Sequence, residues 1–131
     1  MTYYLLDTDT LIDFSKGREP VVSRINQWIK NGDILGVCPI NITEFYAGLP
    51  HTARKDWDEF FETLMYWEVS QSAARMAGIF RNEFQKQGKT ITTTDALVAA
   101  VAQEQNVAVV TSNISDYPMP KLRILSPREN M

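Results

Sequence analysis

Four acidic residues, Asp7, Glu44, Asp95 and Asp116, stand far apart in the chain, and each falls just past an apolar segment or in the first turn of a predicted helix. In a parallel α/β sheet the carboxyl ends of the strands open on one edge, where ligands bind, so acids distant in sequence meet there. Neighbouring strands lie about 4.8 Å apart, close enough for carboxylates to share metal ions and close enough to repel one another when bare. Hard oxygen donors of this kind suit Mg²⁺ or Mn²⁺ rather than zinc, and no Cys/His spacing points elsewhere. The one histidine, His51, has no Ser or Cys nucleophile beside it and is read as a solvent-facing residue of the Pro50-His51-Thr52 turn. A phosphate-cradling glycine loop is absent, which removes nucleotide chemistry of the P-loop type.

The elements that must position these acids are legible as an alternation. Strand-like runs occur at Tyr3 to Leu6, Ile34 to Cys38, Leu64 to Val69, Val107 to Val110 and Leu122 to Leu125, with helical patterns between them. Such alternation means βαβ units. Pro20 is placed as a first helical residue, with Val21, Ile25, Trp28 and Ile29 on one face and Gly32 as the stop. Ala53, Trp57, Phe60, Phe61 and Leu64 repeat at helical spacing, as do Ala73, Met76, Ala77, Phe80 and Phe84 ahead of Gly88. The run from Ala96 to Ala102 is apolar all round and predicts a helix buried in the middle of the molecule, with Asp95 at its start.

Three of the acids have a second reading. Asn41-Ile42-Thr43-Glu44, Thr92-Thr93-Thr94-Asp95 and Asn113-Ile114-Ser115-Asp116 each set a capping residue three positions before an acid, the spacing of a helix-start box. Asp7 ends the first strand without a box of its own. The two roles are compatible, because a first-turn acid is held rigidly at the positive end of a helix.

The length of 131 residues and the 44% hydrophobic content suit a single domain over residues 1–131 with its own core. No apolar run reaches the length of a membrane span, and the N-terminal residues lead straight into a strand, so a cytoplasmic protein is expected. Cys38, the only cysteine, is expected to pack as a small buried hydrophobe. The net charge of −3 excludes a broadly basic nucleic-acid surface. It does not exclude RNA, because bound cations would reverse the field at an acidic cluster where a phosphate approaches. Lys16, Arg18, Lys86, Lys89 and Lys121 are candidates for positioning phosphates, and the tail from Arg128 to Met131 is expected to fray.

Four segments in order, Leu5 to Asp13, Ile42 to Leu49, Thr94 to Ala100 and Val110 to Tyr117, resemble the PIN-domain ribonucleases, and among them the VapC-type toxins of bacterial toxin–antitoxin pairs. The resemblance covers nearly the whole chain. It implies a three-layer α/β/α fold with a central parallel five-stranded sheet and a Mg²⁺- or Mn²⁺-dependent endoribonuclease. By that resemblance Asp7, Glu44, Asp95 and Asp116 form the catalytic, metal-binding quartet, with Thr8, Thr111, Ser112 and Asn113 as polar support. It implies a transfer or ribosomal RNA substrate, cleavage leaving a 5′-phosphate and a 3′-hydroxyl, an antitoxin partner and a homodimer. Phe45, Tyr46, Leu49, Trp57, Phe60 and Phe61 supply apolar surface for a partner groove or for the core and dimer seam. Asp9 departs from the family, in which this position is more often neutral, and its place in the site or in solvent stays open.

Two rival readings remain. Asp7-Thr8-Asp9-Thr10-Leu11 also matches the nucleophile motif of haloacid-dehalogenase-type phosphatases, with Val107 to Asn113 as their second motif. That family's lysine and second acidic pair would then have to fall within Ile114 to Met131, which holds no such pair. A PIN-like module that binds RNA or protein without cutting would be marked by loss of a quartet acid, and all four are present.

Overall fold

The structure, a computed structural model, describes residues 1–129. Five strands, β1 (Tyr3–Leu6), β2 (Ile34–Val37), β3 (Met65–Tyr66), β4 (Ala108–Val110) and β5 (Ile124–Leu125), form one sheet in the order β3-β2-β1-β4-β5. Every pairing is parallel. The helices are α1 (Thr8–Ser15), α2 (Val21–Lys30), α3 (Pro39–Ala47), α4 (Arg54–Glu62), α5 (Gln71–Lys86) and α6 (Thr93–Gln105).

Strand side chains alternate between two cores, as the pleat demands. Leu5 and Val109 point to the layer that holds Trp67 and the small residues of α5 and α6, among them Ala73, Ala77, Ala99 and Ala102. Tyr4, Leu6, Ala108 and Val110 point the other way, onto Leu11, Val21, Ile25, Trp28 and Phe45. The expected three-layer α/β/α architecture is therefore observed. The helix predicted to be buried is α6, in which Ala96 and Val98 to Ala102 have almost no exposure.

Several element ends differ from the sequence reading, each for a local reason. The third strand, expected over Leu64 to Val69, is only Met65–Tyr66, because it is an edge strand whose last rung is the Trp67 N–H donated to the Val37 carbonyl at 2.9 Å. Val107 does not join β4; its N–H closes the end of α6 on the Ala102 carbonyl at 3.0 Å. The last strand shortens to Ile124–Leu125 because Leu122 turns back on the Met119 carbonyl. Pro20 precedes α2 rather than beginning it, its carbonyl accepting the Arg24 N–H. Gly32 does stop that helix: at φ +79° it lets the Gly32 and Asp33 N–H groups bond back to Ile29 and Trp28, the paired closure of a Schellman end.

The C-terminal end is not frayed at Arg128. Its guanidinium reaches Asp13 at 2.6 Å and Ser112 at 3.0 Å. Asp13 is buried and also bonds Arg18 at 2.8 Å, and these two guanidiniums hold its carboxyl below the usual range despite burial. Residues 130 and 131 lie outside the described residues.

Gly36 fixes how closely the second strand meets its neighbours. A Cβ there would stand 2.5 Å from the Trp67 ring and 2.8 Å from the Met65 carbonyl oxygen, and a backbone atom cannot swing away. Gly36→Ala is expected to lower stability by about 2 kcal/mol through overpacking, measured by urea unfolding. A midpoint matching the parent's would mean that β3 gives way freely.

Candidate active site

The sheet turns around β1. The chain runs outward from it through β2 to β3, returns to its other side at β4 and ends at β5, so the point of reversal lies at the carboxyl ends of β1 and β4. Crevices form at such points. Asp7 follows β1 directly, α3 follows β2, the Thr111–Tyr117 segment follows β4, and α6, which leads into β4, begins at the same edge. Those are the four segments that carry the four acids.

Asp7 sits deepest, 8% exposed. The first helix opens at the very next residue, and the Asp7 carboxylate itself caps it, Oδ1 accepting the Thr8 N–H at 2.9 Å. The same oxygen accepts from Asn41 Nδ2 at 3.3 Å, and Oδ2 accepts from the Tyr117 hydroxyl at 2.6 Å. Asp95 is half-buried, with Thr92 Oγ1 accepting its backbone N–H at 3.1 Å, so the predicted cap at this helix is present. Its Oδ1 lies 3.5 Å from the Tyr117 hydroxyl, which therefore stands between the two carboxylates. Glu44 and Asp116 are exposed; Glu44 Oε1 accepts the Thr8 hydroxyl at 2.7 Å, and Asp116 ends a short 3-10 turn, Ile114–Asp116.

The electrostatics confirm the crowding. Burial pushes the Asp7 carboxyl up to about 6, with the Tyr117 and Thr8 donors opposing and the charges of Asp9 and Asp95 adding to the rise. Burial also raises Asp95, and the negative charges of Asp116 and Glu44 add to that shift. Asp95 thus feels the charges of Glu44 and Asp116, and Asp7 that of Asp95. Asp9 does not face solvent: Thr111 Oγ1 donates to its Oδ1 at 3.0 Å and the Ser112 N–H to its Oδ2 at 2.8 Å, tying α1 to the segment after β4.

Two of the three expected caps are corrected. The third helix starts at Pro39, so Cys38 stands at its cap position and Asn41 lies inside the first turn, accepting the Cys38 N–H on Oδ1 at 3.1 Å. Proline, which favours the first helical position, was the stronger start signal, and Glu44 falls one turn further in. Asn113 makes no side-chain cap; its N–H instead donates to Thr111 Oγ1 at 3.0 Å. Of the polar support residues, Thr8 serves Glu44, while Thr111 and Ser112 serve Asp9. Cys38 is fully buried as expected, and His51 is exposed in a 3-10 turn.

Asn41 and Tyr117 were not anticipated as members of the site. Asn41 has no exposure and Tyr117 only 2%. The Pro39 signal would have moved Asn41 inward, but nothing local to Tyr117 marks a hydroxyl aimed at an acid more than a hundred residues away.

The donor set is all oxygen and partly buried, which fits a hard divalent cation. Among the described residues no three acidic, His or Cys side chains are already drawn into a cage for one ion. What the site offers is the carboxylate pair Asp7 and Asp95 on a shared hydroxyl, and Mg²⁺ is commonly held by one or two carboxylates with water filling the remaining positions. No helix among the described residues is long and apolar enough to cross a membrane.

Comparison with known proteins adds the lineage. A model of the PIN domain matches residues 4–115. Ribonuclease VapC19 of Mycobacterium tuberculosis is 24% identical over 115 residues, 88% of this chain and 92% of that protein. Ribonuclease VapC2 of Haemophilus influenzae is 28% identical over 123 residues, 89% and 91% of the two chains. A chain of VapBC2 from Rickettsia felis, solved bound to a DNA fragment from its promoter, superposes with a TM-score of 0.82 at 22% identity over 95% of this chain and 98% of that one, so the fold is shared.

The elevated Asp7 carboxyl has a consequence for stability. Between about pH 4 and 6 the folded protein retains a proton that the unfolded chain has released, so this group's contribution is full below about 4 and falls away as pH rises through about 6. Asp7→Asn abolishes that loss, and near pH 7.5 it is expected to exceed the parent in stability by up to about 3 kcal/mol, at about 1.4 kcal/mol per pKa unit over the rise from 3.8 to about 6. Chemical unfolding of both proteins from pH 4 to 8 tests this; parallel profiles would refute it.

Proposed function

The chain belongs to the PIN domain family, and from that premise we propose that it is a Mg²⁺- or Mn²⁺-dependent endoribonuclease, the VapC-type toxin of a toxin–antitoxin pair. The observation that supports this reading is the pair Asp7 and Asp95 on the Tyr117 hydroxyl at the switch point of the sheet, with Glu44 and Asp116 on the segments of the same edge. The ribonuclease names of its relatives support it. A nearby phosphatase reading has no support in the family match.

In this reading Asp7 and Asp95 hold the cation, and Glu44 and Asp116 complete the shell directly or through water. A bound Mg²⁺ or Mn²⁺ lowers the pKa of a water and offsets negative charge at the phosphate. The chain's own contribution is to fix the carboxylates: Thr8 orients Glu44, while Thr8, Asn41 and Tyr117 orient Asp7. The burial gradient runs from exposed Glu44 and Asp116 down to Asp7, so an RNA strand approaches from the exposed pair.

The candidate phosphate contacts divide. Arg18 is engaged with Asp13 and is not available. Lys89 lines a small concavity with Arg81, Gln85, Thr90 and Ile91, next to the start of α6. Arg81 is fixed there by its Nε donating to the Ile91 carbonyl at 3.0 Å. We assign this pair to a backbone phosphate of the RNA, a transfer or ribosomal RNA whose cleavage would inhibit translation in the cytoplasm.

The six apolar residues read as lining a groove or forming the core and dimer seam do not share one concavity: Phe60 lines one beside Ile29 and Met65, and two others lie near it. The first of those two, of about 420 Å³, is lined by Ile12, Phe45, Leu49 and Trp57 with Lys16 at its side; the second is lined by Ile42, Tyr46, Phe61 and Tyr66. We assign the first to an apolar segment of the antitoxin, as VapBC complexes are what the similar solved structures contain, and the second to pairing of two copies.

Asp95→Asn is expected to abolish RNA cleavage, a loss of at least a hundredfold on the scale of one removed electrostatic contact, while its circular dichroism matches the parent. Millimolar Mn²⁺ is expected to raise the parent's melting temperature, since a ligand bound only by the folded state stabilises it. A folded Asp95→Asn protein that cuts at the parental rate would overturn the assignment. For the partner, Trp57→Ala is expected to weaken antitoxin binding at least tenfold in a titration, and unchanged affinity would remove the first concavity from the interface.

A further inference from the structure

We propose that Tyr117 is a positioning residue, whose hydroxyl fixes the Asp7 carboxylate so that one defined lone pair is left for a divalent cation. The inference rests on the metal-dependent reading above and deepens it. An ionised carboxylate offers about four lone-pair directions. In Asp7 three are occupied: Oδ1 receives the Thr8 N–H and Asn41 Nδ2, and Oδ2 receives the Tyr117 hydroxyl. Oδ1 is therefore saturated. The remaining direction belongs to Oδ2, the oxygen on the side of Tyr117 and, beyond its hydroxyl, of Asp95. Asp7 accordingly binds a cation through one oxygen and cannot rotate to offer the other.

Tyr117 is placed for this. It is 2% exposed, its ring belongs to the same buried cluster as Met119 and Leu122, and its hydroxyl points away from that cluster into the acids. An apolar ring would fill the core equally well. A donor on Oδ2 withdraws some charge from the oxygen that binds the metal, but outer hydrogen-bond partners of metal ligands act mainly by orienting them, and their removal costs about 10–100-fold in affinity. Orientation is the larger effect here because Asp7 has no second free oxygen to compensate.

Tyr117→Phe deletes the hydroxyl and keeps the ring. Titration calorimetry with Mn²⁺ on the purified parent and variant reads affinity without any RNA present. A roughly tenfold or greater loss of Mn²⁺ affinity, with a cooperative metal-free melt retained, is the expected result. A role confined to packing would change the melt and leave the affinity alone. Equal or tighter Mn²⁺ binding by the variant would overturn the proposal while leaving the nuclease reading intact, and a parent that binds no Mn²⁺ would overturn both.

Discussion

Carboxylates that repel one another have been brought to one place, and one of them has been taken below the surface. That like-charge crowding is the constraint around which the carboxyl edge of the sheet is organised. Asp7 is held by a backbone N–H, an amide and a phenol drawn from three parts of the chain. Asp9 is held by Thr111 and Ser112, and Asp13 by two arginines. Each acid at or on the first helix thus has its own donors, and the segment after β4 supplies some to both Asp7 and Asp9. The bonds that make the charges tolerable are also the bonds that tie β1, α1, α3 and the segment after β4 together.

The same arrangement explains why the acids differ in character. Asp13 keeps its charge through full ion pairs and is spent on structure, binding the C-terminal residues to α1. Burial raises the Asp7 carboxyl, its neutral donors oppose that rise without cancelling it, and one lone pair is left unfilled. Neutral partners orient a ligand without satisfying its charge. A cation is what such a group lacks, and this difference separates a site from a structural clamp more clearly than burial does, since both aspartates are buried.

Much of this was legible in the chain. Strand alternation, the buried helix at Ala96 to Ala102 and the stop at Gly32 follow from local periodicity and backbone freedom, and local signals survive into the fold. The four acids were found because strand ends are readable and the sheet edge gathers them. What escaped depends on partners distant in sequence. Asn41 looked like a cap because its neighbours fit a box, although Pro39 had already begun the helix. Tyr117 stood only at the end of the last of the four segments, and only the folded chain brings its hydroxyl to Asp7. Arg128 looked like part of a loose end, because its anchor Asp13 lies 115 residues away and only packing brings the two together. Whether the aromatics lined a groove or formed the core and dimer seam stayed open in the sequence, because it turns on packing: Tyr46 and Phe45, adjacent in the chain, face different concavities.

The first strand made is the central one, and this governs the order in which the molecule comes into being. Tyr4 pairs with Ala108, and the Thr10 hydroxyl bonds the Val110 carbonyl across 100 residues. At synthesis rates of roughly 5–20 residues per second, β1 waits on the order of 5–20 s for that neighbour. Within this interval, from the synthesis of Glu44 until that of α6, the growing chain holds Asp7 and Glu44 but neither the helix that carries Asp95 nor the turn that carries Asp116. Such a nascent chain has half of the acidic cluster and no sheet edge to assemble it, so the site comes into existence only once the segment through Asp116 has been made.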